Sequence, residues 1–316
     1  MTTGHPAGYE DCNDYTRIIV DEALGRGIDV VIGDPVLGEL ELRHGDVVHH
    51  AFQSLSDLTS AIAFRRCDDK LLTRRVLEAA GLPVAPGRLA GGDDADAEFL
   101  VAHGTVVVKP CRGEGGAGIT VGVTDAAGLR DAIASARQHC SQVLLEAVAE
   151  GDDLRVLVID DQVVAASVRR PPVVRGDASR SIRQLVEDRN QERTADGGFA
   201  TPLDDITTAT VRAAGHDLDD VLADGEELAV RRTANLHTGG TIHDVTDRLH
   251  PSLGVLARAA TAAIGLPVAG VDLMVVDPSS EGPVVVIEVN EQPGLANHEP
   301  QPTAQRYLDL LFPATA

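Results

Sequence analysis

Val284-Val-Val-Ile-Glu-Val-Asn290 is an apolar run carrying two polar residues set two apart. Side chains alternate faces along a strand, so Glu288 and Asn290 point the same way. The preceding apolar run, Asp272-Leu-Met-Val-Val276, opens on another carboxylate. If the two runs pair, Asp272, Glu288 and Asn290 converge. Two carboxylates and an amide are oxygen donors of the kind Mg2+ takes, shared with water and substrate phosphates. Buried and unpaired, they would be costly, and a metal removes that cost.

Working outward, Thr105-Val-Val-Val-Lys109 reads as a strand, followed by Gly113-Glu-Gly-Gly-Ala-Gly118 and a second strand, Ile119-Thr-Val-Gly-Val123. Glycines at 113, 115, 116 and 118 let backbone N–H groups approach an anion. A P-loop needs Gly-Lys-Ser/Thr and a following helix, and a dinucleotide fingerprint also needs a helix, so both motifs fail here. What remains is a glycine hairpin with Lys109 at its entrance, able to fold over a triphosphate. Alone, such a hairpin is an ordinary turn, and Lys70 alone is an ordinary helix lysine. Arg231-Arg-Thr-Ala-Asn-Leu-His-Thr-Gly-Gly240 adds a fixed cation and two glycines. An arginine near the metal can stabilise a transferring phosphoryl group or an oxyanion.

The 316 residues, 43% of them hydrophobic, suffice for a sizeable core and more than one domain. With 27 basic against 49 acidic residues, the net charge of −22 repels polyanions. It argues against nucleic-acid and anionic-membrane partners. Cys12, Cys67, Cys111 and Cys140 lack metal or redox spacing and are expected to be buried and reduced. The polar first 15 residues do not form a signal peptide, and no apolar run approaches the roughly 20 residues that cross a bilayer. A cytoplasmic protein is the expectation.

Residues 1–15 read as a flexible arm and 16–66 as a small α/β unit, with a helix over 16–27 and strands near 29–32 and 47–48. One long helix is expected over 60–80 with a stripe of Leu71, Leu72, Val76, Leu77 and Ala80. Residues 91–97 read as an acidic loop. A helix over 129–139 and a strand over 142–146 follow, then strands at 154–159, 162–169, 271–276 and 284–289 and helices at 181–189 and 251–264. The class is α+β or α/β without doubly wound alternation.

In order, these blocks resemble the ATP-grasp superfamily: Cys67-Asp-Asp-Lys70-Leu-Leu-Thr73, Gly81-Leu-Pro-Val-Ala-Pro86, Lys109 with its hairpin, Leu144-Leu-Glu146 through Gly151-Asp-Asp-Leu-Arg155, then Asp272 and Glu288-Val-Asn290. The resemblance covers nearly the whole chain from about residue 17. It implies two α+β lobes holding ATP, with a lid subdomain over 67–148 and a catalytic subdomain over 149–316. Asn235-Leu-His-Thr-Gly-Gly-Thr241, Asp244-Val-Thr-Asp247, Ala269-Gly-Val-Asp-Leu273, Val174-Arg-Gly-Asp177 and Ser181-Ile-Arg-Gln-Leu185 resemble the ligase half of cyanophycin synthetases. Lys109-Pro-Cys-Arg through Ile119 and the tail from Asn290 to Ala304 look closer to N-acetylglutaminylglutamine synthetases, which make a compatible-solute dipeptide.

The implied activity is ATP-dependent, ADP-forming joining of a carboxylate to an amine through an acyl phosphate. A non-catalytic nucleotide-binding module is the alternative from another class. Lys70 and Lys109 would hold the phosphates beneath Gly115, Gly116 and Gly118. Glu146 and Val148 would flank adenine, and Asp153 would bind ribose. Arg231, with Lys109, would act in catalysis. Arg155, Arg175, Ser181, Asn235, Thr238, Gly239 and Gly240 would receive amino-acid or N-acyl amino-acid substrates. Asp272, Glu288 and Asn290 would bind Mg2+, with Mn2+ as the alternative ion. Against that pattern, no acetyltransferase segment is expected ahead of the ligase, so a separate acetyltransferase or amidotransferase is the implied pathway partner. Ala117 stands where relatives often have a basic residue. Oligomeric state stays open, a homodimer included.

Overall fold

The computed structural model describes residues 4–113, 116–195 and 197–316. Gly115, expected among the phosphate-facing glycines, lies outside the described residues. A short 3-10 turn at Tyr9–Asp11 precedes α1 (Asp14–Gly25), whose first turn is closed by the Asn13 side chain accepting from the Thr16 amide. The expected loose arm is therefore already ordered from the turn onward. An antiparallel sheet of β1 (Asp29–Ile32), β2 (Glu39–His44), β3 (Val47–Phe52) and β4 (Leu55–Ser56) completes the front unit.

Next come α2 (Ala61–Asp68) and α3 (Lys70–Ala79), where one long helix was expected. Asp69 breaks it. Its backbone is extended (φ −122, ψ 105) and its carboxylate accepts from the amides of Leu71 and Leu72, a helix N-cap. The buried line of α3 is Thr73, Arg74 and Leu77, and Ala80 is exposed.

The lid sheet is built from β5 (Gly87–Leu89), β6 (Val106–Pro110), β7 (Thr120–Val123) and β8 (Val143–Ala147), in the order β5-β8-β6-β7. It is covered by α4 (Asp94–His103) and α5 (Ala126–Arg137). Its core gathers Leu100, Val106, Val108, Leu129, Ile133 and Leu145. The expected acidic loop at 91–97 contains the start of α4. The buried Asp96 carboxylate accepts from the Gly91 and Gly92 amides, so one of those acids folds inward rather than facing water.

The largest sheet is antiparallel, β13-β10-β9-β14-β15. Its strands are β9 (Asp152–Ile159), β10 (Gln162–Arg170), β13 (Thr241–Asp244), β14 (Val268–Val275) and β15 (Val284–Asn290). Between β10 and β13 the chain forms a small side unit of β11 (Val173–Arg175), α6 (Ile182–Ala195), α7 (Asp205–Ala213) and β12 (Glu227–Ala229), with its own core of Val174, Ile182, Val186, Val211 and Val230. The helix α8 (Pro251–Ile264) starts and ends where expected, with Pro251 in its first turn and Gly265 after its last.

One face of the large sheet packs Leu154, Val156, Val271 and Leu273 against Leu253, Ala257, Ala260 and Ile264 of α8 and against Cys67 and Leu77. Helix α3 thus belongs to the large-sheet core, so the lid's own packing begins after it. The opposite face is shared. At one end Leu157, Ile159 and Val268 meet α1 and the closing helix α9 (Thr303–Leu311) through Ile19, Tyr307 and Leu308. At the other end it presents charged residues. Among the described residues, no helix is long and apolar enough to cross a membrane.

Candidate active site

Strands β14 and β15 pair with Asp272 opposite Glu288 and Gly270 opposite Asn290. Directly opposed residues project to the same face with Cβ atoms about 5 Å apart. The three expected ligands therefore gather on the open face of the sheet. Asp272 lies in the middle of β14, not at its start. A bulge between Asp272 and Leu273 skips Ile287 and keeps Glu288 in phase. The Asn290 amide lies 3.5 Å from Asp272 Oδ2.

On the other side of β14, Asp272 faces Arg155 of β9. The Arg155 fork donates through Nε to Oδ1 and through Nη2 to Oδ2 (2.8 Å), and Arg169 Nη2 reaches Oδ2 at 2.9 Å. Gly270 makes room for this: a Cβ there would lie 3.1 Å from Arg155 Cδ and Nη1 and from Pro293. Burial alone would raise the Asp272 pKa, but the two guanidiniums outweigh it and hold the carboxyl below its usual range. Asp153 accepts from Arg169 Nη2 at 2.6 Å, and burial raises its pKa against the pull of Arg169. Asp153, expected to bind ribose, is thus placed with the Asp272 group, its carboxylate held by Arg169.

His298, in the turn after β15, is buried beside these arginines. Burial and their charge push its pKa down to about 4, so the imidazole is neutral. Arg169 and His298 were not singled out from sequence. Arg169 sits in an apolar strand as the first of two adjacent arginines, and strand alternation alone could have placed it with Asp153 and Arg155.

Lys70, at the start of α3, donates to the Gly113 carbonyl at 3.0 Å and pairs with Glu288 Oε1 at 3.1 Å. It ties the root of the glycine hairpin to the carboxylate cluster. One turn along the same helix, Arg74 is 8% exposed and contacts Glu146 Oε1 at 3.3 Å. Lys109 Nζ binds the other oxygen, Glu146 Oε2, at 2.5 Å. Glu146 therefore carries two buried cations. Arg74 escaped the sequence reading because an arginine in an amphipathic helix looks like a solvated residue. Val148 is exposed, and its N–H donates to the Thr105 carbonyl. Gly116 and Gly118 lie in the hairpin turn with φ of 82° and 72°.

The other expected substrate residues are more dispersed. Asn235 opens a 3-10 turn and accepts from the His237 amide. The carbonyls of Gly239 and Gly240 accept from Arg189 (2.7 Å) and Arg193 (3.1 Å) of α6, which fix the 235–240 loop. Thr238 donates back to the Asn235 carbonyl. Arg175 is exposed on β11. Ser181 and Gln184 form a reciprocal cap: the Ser181 N–H donates to Gln184 Oε1 (2.9 Å) and the Gln184 N–H donates to Ser181 Oγ (3.3 Å). Its hydroxyl therefore serves the α6 start.

Arg231 also differs from expectation. Its guanidinium is buried and turned to the start of α7, binding Asp204 Oδ1 (2.8 Å) and Thr207 Oγ1 (2.9 Å). Among the described residues its Nε has no hydrogen-bond partner. Among the described residues its side-chain hydrogen bonds all go to residues 202–207, so it is placed as a strut of the side unit.

The oxygen donors of Asp272, Glu288 and Asn290 suit a divalent ion, which would add its charge to that of Arg155, Arg169 and Lys70 in compensating these carboxylates. Among the described residues, no group of three or more His, Cys, Asp or Glu side chains could hold a metal, so a site here would need the Asn290 amide. The four cysteines are free. Burial pushes Cys67 up to about 12 and Cys111 to about 11, which leaves them as inert thiols, while Cys140 is only half-buried.

Residues 84–191 match the family model of the prokaryotic glutathione synthetase ATP-grasp domain. The cyanophycin synthetase of Trichormus variabilis is 34% identical over 94% of this chain and 35% of its own length. The glutathione biosynthesis bifunctional protein of Clostridium perfringens is 28% identical over 96% of this chain and 42% of its own. Among solved structures, a bifunctional glutathione synthetase from Pasteurella multocida superposes with a TM-score of 0.67 at 26% identity, covering 97% of this chain and 44% of that one. D-alanine–D-alanine ligase from Bacillus anthracis shares the fold at 14% identity, with a TM-score of 0.53 over 81% of this chain and 70% of its own. The chain spans about a third of the length of the cyanophycin synthetases it matches. With its antiparallel lid sheet and large sheet, glycine hairpin and carboxylate-bearing strands, the chain has the ATP-grasp fold.

Proposed function

We propose that the chain is an ATP-dependent carboxylate–amine ligase that forms a peptide or amide bond through an acyl phosphate. The observation that carries this reading is Lys70, which joins the glycine-hairpin root to Glu288 while Glu288 faces Asp272 and Asn290. A triphosphate lying under the hairpin would meet Lys70 and Lys109, with adenine at the hinge formed by Glu146 and Val148.

A divalent ion held by Asp272, Glu288 and Asn290 would supply charge neutralisation for the transferring phosphoryl group. The chain's own residues do the rest. Lys70 and Lys109 leave their glutamates for phosphate oxygens, and Arg74 keeps Glu146 compensated when Lys109 turns away. Freed from Asp272, Arg155 and Arg169 would bind the substrate carboxylate and then the acyl phosphate, with Asp153 orienting Arg169. The hairpin excludes water, which would otherwise hydrolyse the intermediate. The amine enters by the 235–240 loop, which Arg189 and Arg193 hold in place. The acyl–oxygen bond to phosphate breaks as the new C–N bond forms.

The substrates would be amino acids or N-acyl amino acids. A dipeptide synthetase of the N-acetylglutaminylglutamine type, serving as a source of compatible solute, is the finer proposal. It is supported by residues 109–119 and 290–304. The test is a screen of acid and amine pairs for ADP and phosphate release, with N-acetylglutamine plus glutamine as one pair. Release that requires both partners supports the reading. ATP binding without turnover for every pair would favour the nucleotide-binding module instead.

A further inference from the structure

Arg231 and Arg232 are neighbours in sequence, yet their side chains part. Arg231 turns inward to α7, whereas Arg232 crosses to the lid and donates through Nη1 to the Val121 carbonyl at 2.8 Å. Its approach depends on Gly122. That residue has φ +82°, and a Cβ built there would stand 1.9 Å from Arg232 Nη1. The guanidinium thus occupies the space that any other residue would fill. Val121 lies in β7, the outer strand of the glycine hairpin, which among the described residues pairs only with β6. Arg232 supplies a donor to this edge strand of the lid sheet from a different subdomain.

We propose that Arg232 is a positioning residue that latches the phosphate-covering hairpin to the segment leading into the 235–240 loop. It couples the seating of the hairpin to the loop expected to receive the amine. A charged donor on a backbone carbonyl holds β7 in place without blocking the hairpin's own glycines. Because this contact is at the rim, it can open and re-form at each turnover. The proposal rests on the ligase reading only for its catalytic consequence, water exclusion from the acyl phosphate.

The test is amide hydrogen exchange over residues 116–123 in the full chain without substrates, comparing wild type, R232A and R232K. Loss of one charge-assisted hydrogen bond should speed exchange by about tenfold in R232A. The lysine variant, which keeps a donor, should restore part of the protection, and β5 and β8 should be unaffected. In turnover, R232A should form more ADP than amide product, whereas a merely structural role would leave that ratio at the wild-type value. Wild-type exchange in R232A would overturn the latch, and faster exchange with unchanged coupling would overturn its catalytic use. The exchange arm needs no activity, so it separates failure of the latch from failure of the ligase reading.

Discussion

Lys70 Nζ stands 3.1 Å from Glu288 Oε1 and 3.0 Å from the Gly113 carbonyl. One side chain therefore links helix α3, the hairpin root and the carboxylate cluster. In the proposed ligase, this ammonium would neutralise Glu288 until a metal and triphosphate entered, and would then bind phosphate oxygens. Replacing Glu288 by Gln keeps its shape and removes its charge. We expect E288Q to lose at least about a hundredfold in ligase turnover. A stability assay completes the test: ATP with Mg2+ at a hundredfold excess over Kd should raise wild-type stability by about 2.7 kcal/mol and E288Q by much less. Equal stabilisation of both would remove Glu288 from the metal site.

The Arg231–Asp204 pair should report on folding. Burial pushes the Asp204 carboxyl upward, but the Thr207 amide and Arg231 outweigh it, and its pKa falls below the usual range. In D204A, α7 loses its N-cap and Arg231 loses its counter-charge. The combined cost should be roughly 2 kcal/mol, read as a lower denaturation midpoint with an unchanged slope. A variant with unchanged stability and lost turnover would restore Arg231 to a direct catalytic role.

Ser181 was expected to touch substrate, and its hydroxyl is instead the acceptor in a cap on α6. S181A should cost about 1 kcal/mol of stability. The KM for either amino-acid partner should not change. A raised KM at unchanged stability would return Ser181 to the binding site.

His298 gives a pH signature. Its pKa is about 4 in the fold, against an ordinary 6.5, because burial and the charges of Arg155 and Arg169 oppose protonation. A depressed histidine binds more protons when unfolded. Its contribution is therefore fully present above pH 6.5, weakens as pH falls, and is lost at about pH 4. The total is at most about 3 kcal/mol. Melting temperature should drop across this window in wild type and drop less steeply in H298N. Parallel pH curves for the two proteins would show that His298 is not the titrating group.

Much of this was legible because strands write their faces in alternation. Glu288 and Asn290 share a face by spacing alone, and the apolar context of Asp272 marked it for the same cluster. The strand–glycine–strand order around Lys109 likewise gave a hairpin and excluded a P-loop. The break at Asp69 was not legible, since Ser60 to Ala80 keeps helical periodicity through it and an aspartate reads equally well as a surface residue. Helix α7 went unseen because its short threonine-rich sequence has no strong helical signature. Partner choice was the least legible feature. Nothing in the pair Arg231-Arg232 says which one turns to α7 and which to the lid, because that is decided by Asp204 and Gly122, distant in sequence. The same holds for Asp153, whose carboxylate is claimed by Arg169 across the β9–β10 pairing.

In the proposed ligase, chemistry passes through an acyl phosphate at the Asp272, Glu288 and Asn290 cluster. The most direct test uses an acid substrate labelled with heavy oxygen in its carboxylate and follows the label by mass spectrometry during turnover. ADP is the expected nucleotide product, with one heavy oxygen in the released inorganic phosphate. Label appearing in AMP, with pyrophosphate released, would contradict it.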